Sequence, residues 1–334
     1  MRKVLVLIVI APLLVLAFAG CSKEGANEVK TGLAVITSIS NSSDVEDGVG
    51  TAQVDSTVVA VTVDNDGRIV KCVIDAAQTR VNFNGSGEIT TPLNQEFKTK
   101  NELGDGYNMK GASSIGKEWY EQAAAFAKYA EGKTAEEIAG IAVDESKHPT
   151  GADLKSSVTI SIGDFIAGVQ KAVNNAQSLG AKGENKLGIG VVTSIGNSTN
   201  ATADEDGVVE VYSHYSATTV GKDGKITSSV IDASQTKVSF DQSGKITADL
   251  NAEQKTKNEL GDGYNMKNAS SIGKEWYEQT AAFAKYVRGK TAGDVGGIAV
   301  DDSGHAAKSD LKSSVTVTIG GFKTVVEKAA KAAK

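Results

Sequence analysis

Cysteine, proline, histidine and tryptophan are all scarce, with two, three, three and two of them in 334 residues. Cys21 and Cys72 make no disulfide frame, and they cannot supply the thiolates of a cysteine-ligated iron–sulfur cluster. The CxxCH sequence that attaches c-type haem is absent. The histidines stand alone at 148, 214 and 305, without neighbouring nitrogen or sulfur ligands, which is poor provision for a metal. Basic charge is short too. Removal of residues 1–20 takes away Arg2 and Lys3 and leaves 33 basic residues against 41 acidic ones, a formal charge of −8. That balance argues against a nucleic-acid partner. No nucleophile with a paired base stands out.

Long apolar runs are missing except at the start. Met1, Arg2 and Lys3 precede an apolar run from Val4 to Ala19, the charged and greasy regions of a secretory signal, and the run is short for a membrane span. It ends at Ala17-Phe18-Ala19-Gly20-Cys21. These small residues before a cysteine resemble the lipobox of bacterial lipoprotein precursors, with Phe18 where leucine is usual. The resemblance implies that Cys21 is acylated and becomes the N-terminus, on the extracellular face of the cell membrane. The alternative is an uncleaved anchor helix. Ser22 to Lys30 is short, polar and charged and reads as a tether.

The chain repeats itself. TGLAVITSI at 31–39 answers LGIGVVTSI at 187–195, and VIDAAQTRVNF at 73–83 answers VIDASQTKVSF at 230–240. The offset settles at 157 residues through KTKNELGDGYNMK, SSIGKEWYEQ, GIAVD and DLKSSVT. Each unit is long enough to bury a core of its own. The predicted organisation is a signal peptide at 1–20, a tether at 21–30, one domain at 31–178, a linker at 179–186 where Gly, Lys and Glu cluster, and a second domain at 187–334.

Within one copy, apolar runs at Thr57–Val63 and Ile69–Ile74 flank Asp64-Asn-Asp-Gly67, which predicts a hairpin, and Asn84-Gly-Ser-Gly87 predicts a second turn. Lys117 to Ala130 places Trp119, Ala123, Phe126, Ala127 and Ala130 on one helical face, and Gly132 ends the helix. Thr134 and Glu137 form a capping box. Each copy closes with a helix carrying Phe165, Ile166, Val169, Ala172 and Val173, or Phe322, Val325, Val326 and Ala329. Strands first and helices later predict an α+β fold of two tandem homologous domains, each an antiparallel sheet packed with helices.

The two copies filter each other, since a residue needed for a shared function recurs. Cys72 is Ser229 in the second copy, and His214 has no counterpart. His148 and His305 correspond and read as surface-loop residues beside acidic stretches. What recurs is Asp153-Leu-Lys-Ser156-Ser157-Val158-Thr159 and Asp310-Leu-Lys-Ser313-Ser314-Val315-Thr316, each leading into the final helix. Hydroxyls crowded at a helix start would offer a phosphate unpaired backbone donors and a favourable dipole. The bland reading is a Ser/Thr-rich strand before an ordinary helix.

This segment resembles the Asp-x-x-Ser/Thr-Gly/Ser-Ala-Thr signature of FMN-binding domains, with Val158 and Val315 where the family has alanine. The hairpin, the Asn101–Gly104 segment and the terminal helix stand in the family's order. The two-domain arrangement is similar to that of flavinylated surface lipoproteins of extracellular electron transfer. The resemblance implies that an FAD-dependent flavin transferase attaches FMN through its phosphate to Thr159 and to Thr316. It further implies a non-enzymatic electron carrier between a membrane electron donor and extracellular electron acceptors.

Two neighbouring segments bear on the flavin. Glu102, Leu103, Gly104, Tyr107 and Met109, with Glu259, Leu260, Gly261, Tyr264 and Met266, either line the ring or form a packed connection between sheet and helix. Gly111-Ala-Ser113-Ser114 and Asn268-Ala-Ser270-Ser271 lack the aspartate of the signature, and Ser113 or Ser114 reads as a helix cap. Trp119 and Trp276 read as core. Two other functions compete: a cofactor-free adhesion lipoprotein, motivated by acidic, hydroxyl-rich strands in tandem, and an extracellular flavin-dependent reductase, which needs a substrate pocket.

Overall fold

The computed structural model describes residues 27–334, so the predicted signal peptide and Cys21 lie outside the described residues. The first half contains β1 (Glu28–Ser38), β2 (Ser43–Glu46), β3 (Val49–Val63) and β4 (Ile69–Phe83), then α1 (Lys100–Leu103), α2 (Trp119–Ala130), α3 (Ala135–Ala139), α4 (Ala152–Lys155) and α5 (Gly163–Asn174). After β5 (Gln177–Lys182) the pattern returns as β6 (Lys186–Ser194), β7 (Gly207–Val220), β8 (Ile226–Phe240), α6 (Lys257–Leu260), α7 (Trp276–Val287), α8 (Ala292–Gly296), α9 (Ser309–Lys312) and α10 (Gly320–Ala332). Both halves are α+β, each an antiparallel sheet packed with helices.

The β3–β4 hairpin turns where predicted. Asp64 accepts backbone N–H bonds from Asp66 and Arg68 on Oδ1, and Gly67 takes φ +78°, a conformation glycine adopts without steric cost. Both strands run far beyond the apolar segments that announced them. Their continuations carry Gln53, Ser56 and Thr79, polar yet buried, because the strands are covered on both faces.

Alternation along these strands serves two cores. Ala34, Val59, Val61 and Ile74 point to the helices, where they meet Trp119, Phe126, Phe165 and Val169. Leu33, Val35, Val58 and Ala60 point the other way and pack on Leu187, Ile189, Val191, Tyr215 and Ala217 of the second half. Farther along the strands Phe83 stacks on Phe240, centroids 4.2 Å apart and planes 13° from parallel. β4 lies against β6 and β1 against β8, so two sheets stack with helices on both outer sides. Each half has a helix-side core of its own, while the inner faces of the sheets share theirs.

The segment predicted as a linker is mostly ordered structure. Residues 177–182 add β5 to the edge of β1, with Ala181 opposite Val29. The chain then turns through Gly183–Asn185, held by Asn185 Oδ1 accepting the Lys182 N–H at 2.7 Å. The helices keep their predicted faces, and Thr134 and Glu137 make the capping box. One expectation is corrected: neither Ser113 nor Ser114 caps α2. Its cap is Glu118, whose N–H donates to Glu121 Oε2 at 2.9 Å, so the helix starts at Trp119.

Candidate functional site

In the Asp-Leu-Lys-Ser-Ser-Val-Thr segments the apolar residues fix the rest. Leu154 and Val158, like Leu311 and Val315, are buried in the helix-side cores. Leu154 and Leu311 lie in the single turns α4 and α9, with Asp153 or Asp310 beside them in the turn. Ser156 Oγ donates to the Asp153 carbonyl at 3.4 Å and Ser157 Oγ to the Leu154 carbonyl at 3.2 Å, with Ser313 and Ser314 doing the same at 3.2 and 3.1 Å. The picture of hydroxyls gathered at the start of the last helix is therefore corrected. α5 begins at Gly163 after the uncapped Ile162, and the serines are used in closing the preceding turn.

Thr159 is half-buried and tied to the neighbouring helix α2. Its N–H donates to Gln122 Oε1 at 2.8 Å and its hydroxyl to the same oxygen at 3.2 Å. Gln122 is fully buried, and its Nε2 donates to Ser113 Oγ and to the Lys117 carbonyl, both at 3.2 Å. The second half repeats this: Thr316 N and Oγ1 donate to Gln279 Oε1 at 2.8 and 3.3 Å, and Gln279 Nε2 reaches Ser270 Oγ and the Lys274 carbonyl at 3.2 Å. Sequence reasoning missed both glutamines. The available signal was a polar residue recurring on an otherwise apolar helical stripe between Trp119 and Phe126.

The structure divides the residues expected around a flavin ring. Glu102 caps α1 with Thr99 and reaches Lys328 of the other half at 2.7 Å; Glu259 pairs reciprocally with Lys171. Burial alone would raise the Glu102 carboxyl, but the Lys328 ammonium and the Thr99 N–H outweigh it and hold it below its usual value. Glu102 and Gly104 line a cavity of about 960 Å³ between the halves, and Glu259 lines its counterpart of about 530 Å³. Neither cavity is lined by Thr159 or Thr316. Leu103 and Leu260 are about 40 % exposed, while Gly104 and Gly261 turn the chain at φ +51° and +52°.

Tyr107 and Met109 rest instead on the helix-side core, as do Tyr264 and Met266. The main chain at Met109 and Lys110 is clamped by the buried Glu118 carboxylate through two N–H bonds of 2.9 Å, and Glu275 clamps Met266 and Lys267 equally. This clamped loop reaches Thr159 through Ser113 and Gln122. Under its far end sits a lysine in an aromatic box. Lys100 Nζ lies 4.7 Å from the Tyr107 ring and 5.1 Å from Trp119. Lys257 Nζ lies 4.5, 4.6 and 5.2 Å from Tyr212, Tyr264 and Trp276. Burial lowers Lys257 to about 8, against the pull of Glu210 and Asp232.

Trp119 and Trp276 are core residues. Cys72 is buried, and burial pushes its thiol far up, so it stays protonated. His214 is held neutral, lowered to about 4 by burial against Phe322 and Tyr212 and by Lys257. His148 and His305 sit in partly exposed turns near Asp144 and Asp301, at 3.4 and 3.6 Å. Among the described residues no cluster of three metal-ligating side chains occurs, and no helix is long and apolar enough to cross a membrane.

The fit to a phosphate ester of FMN rests on the threonines. Each threonine is a half-buried residue whose hydroxyl donates to a buried amide oxygen, beside exposed Ser156 and Ser161 or Ser313 and Thr318. A helix-dipole cradle for the phosphate does not form, because the final helices start at Gly163 and Gly320, beyond the threonines. No family model, curated protein or solved structure matches the chain.

Proposed function

We propose that each half carries one FMN, esterified through its phosphate to Thr159 and Thr316, and that the chain is a lipid-anchored carrier passing electrons from a membrane donor to extracellular acceptors. The observation that carries the reading is the recurrence of one threonine on one buried glutamine, with an N–H bond of 2.8 Å in both halves. Other positions have drifted between the copies: Cys72 became Ser229, and Asp55 answers Tyr212. An arrangement kept through such drift answers a need common to both halves.

FMN would supply reversible electron transfer, and the protein attachment and orientation. Thr159 and Thr316 hold the group, Leu154 and Val158 or Leu311 and Val315 anchor the attachment segment, and Tyr107 and Met109 or Tyr264 and Met266 belong to the clamped loop tied to it through Ser113–Gln122 or Ser270–Gln279. A covalent bond suits a site outside the cell, where a dissociating flavin is lost to dilution. Protein made with an FAD-dependent flavin transferase is expected to gain two masses of FMN less water, one lost with Thr159→Ala and one with Thr316→Ala. A colourless wild type of unmodified mass would overturn the assignment and leave the adhesion reading in its place.

A further inference from the structure

Gln122 and Gln279 lie on the buried faces of α2 and α7, where an apolar side chain would satisfy packing alone. An amide offers two donor hydrogens and two acceptor positions. Gln122 uses all four, two on Thr159 and two on the Ser113–Lys117 loop. Gln279 adds the Val317 N–H at 3.3 Å. No helix supplies this order from its own backbone; it depends on one side chain reaching across to a segment 37 residues away in both halves.

We infer that Gln122 and Gln279 are positioning residues for attachment, each holding its threonine so that the hydroxyl oxygen is presented to an incoming phosphorus; this rests on the FMN reading above. A hydroxyl has one hydrogen and two lone pairs. With its hydrogen engaged by Oε1, the lone pairs point away from the amide, and the 2.8 Å N–H bond fixes the main chain behind it. Thr159 Oγ1 attacks the FMN-side phosphorus of FAD, forming the O–P bond as the pyrophosphate bond breaks. AMP leaves, the hydroxyl proton ends on its phosphate, and no electrons are exchanged. Esterification removes the hydroxyl hydrogen and hence the 3.2 Å bond, while the N–H bond persists and keeps the attached group oriented.

The test follows flavin addition over time at each threonine by peptide mass, using the mature chain, FAD and an FAD-dependent flavin transferase. Gln122→Met fills the space without an acceptor, and addition at Thr159 is expected to slow about tenfold, the loss of one positioning hydrogen bond. Thr316 in the same molecule keeps its rate and reports that the chain is folded. Gln122→Glu retains an acceptor oxygen and is expected to stay near the wild-type rate, even where thermal unfolding shows it less stable. Gln279→Met and Gln279→Glu mirror the pair at Thr316. Wild-type rates in both methionine variants would overturn the inference. So would slowing in methionine and glutamate variants alike, in proportion to lost stability, which marks a merely structural role. An unmodified wild type would sink the FMN reading itself.

Discussion

The strongest thermodynamic lever in the fold is a pair of buried carboxyls. Asp232 is 8 % exposed on β8, beside one cavity between the halves. Burial pushes it to about 7 from 3.8, although its Oδ1 accepts N–H bonds from Ala233 at 2.7 Å and Asn258 at 3.1 Å and Thr256 adds a side-chain bond. Asp75 repeats the arrangement and is raised to about 6. A raised carboxyl means that the folded state binds the proton more tightly than the unfolded chain. Between roughly pH 4 and pH 7 the native state therefore holds the extra proton, and stability falls as pH rises through that window. Above it the penalty is constant, at most about 4 kcal/mol for Asp232 and about 3 kcal/mol for Asp75, since one unit is about 1.4 kcal/mol. Both carboxyls line cavities, so solvent screening reduces both figures. Asp232→Asn keeps the acceptor for Ala233 and Asn258, and its NH2 donates to Thr256. Urea unfolding of the mature chain at pH 5 and pH 8 is expected to show the variant close to wild type at pH 5 and clearly more stable at pH 8. Equal or lower stability at pH 8, with the wild-type pH slope intact, would refute the reasoning.

The reciprocal ion pairs and the shared core make two further predictions. Glu102→Gln or Lys328→Met removes a cross-half pair whose side chains are 35 % and 34 % exposed, so the pair's coupling in a double-mutant cycle is expected at about 0.5–1 kcal/mol and should shrink in high salt. Because Glu102 is held below its usual value, its share is present above the unfolded carboxylate range and is lost as pH falls through the folded value. Residues 27–182 produced alone leave Leu33, Val35, Val58, Ala60 and Phe83 without their covering sheet; the fragment is expected to bind a hydrophobic dye and self-associate, while the whole chain unfolds in one transition. Two resolved transitions with a soluble, dye-silent fragment would contradict the shared core.

Much of the fold was legible because its cues are local. The Asp64–Gly67 turn, the Thr134 capping box and the apolar stripe of α2 each depend on residues a few places apart. What escaped depends on the second half lying against the first. Gln53, Ser56 and Thr79 interrupt the apolar pattern of β3 and β4, and read alone they end the strands. Ser56 and Thr79 stay in because a second sheet covers that face, where Tyr215 Oη lies 3.3 Å from Ser56 Oγ and 2.9 Å from Ser234 Oγ; Gln53 faces the other way and is held by Asp55 and Arg80. Glu102 and Glu259, grouped by adjacency with Tyr107 and Tyr264, belong to the seam between the halves. The glutamines were hidden for a related reason: their partners stand on another element, and spacing carries no trace of the bond.

The stacking order also sets where Thr159 and Thr316 sit. With β1 over β8 and β4 over β6, the strand order of one layer runs opposite to that of the other. α2 and α5 cover one outer side, and α7 and α10 cover the other. Thr159 and Thr316 follow their helices to opposite sides, with two sheets about 10 Å apart between them, and the space between is filled by Val58, Tyr215 and their neighbours. Under the FMN reading the two attachment points are therefore separated by the stacked sheets.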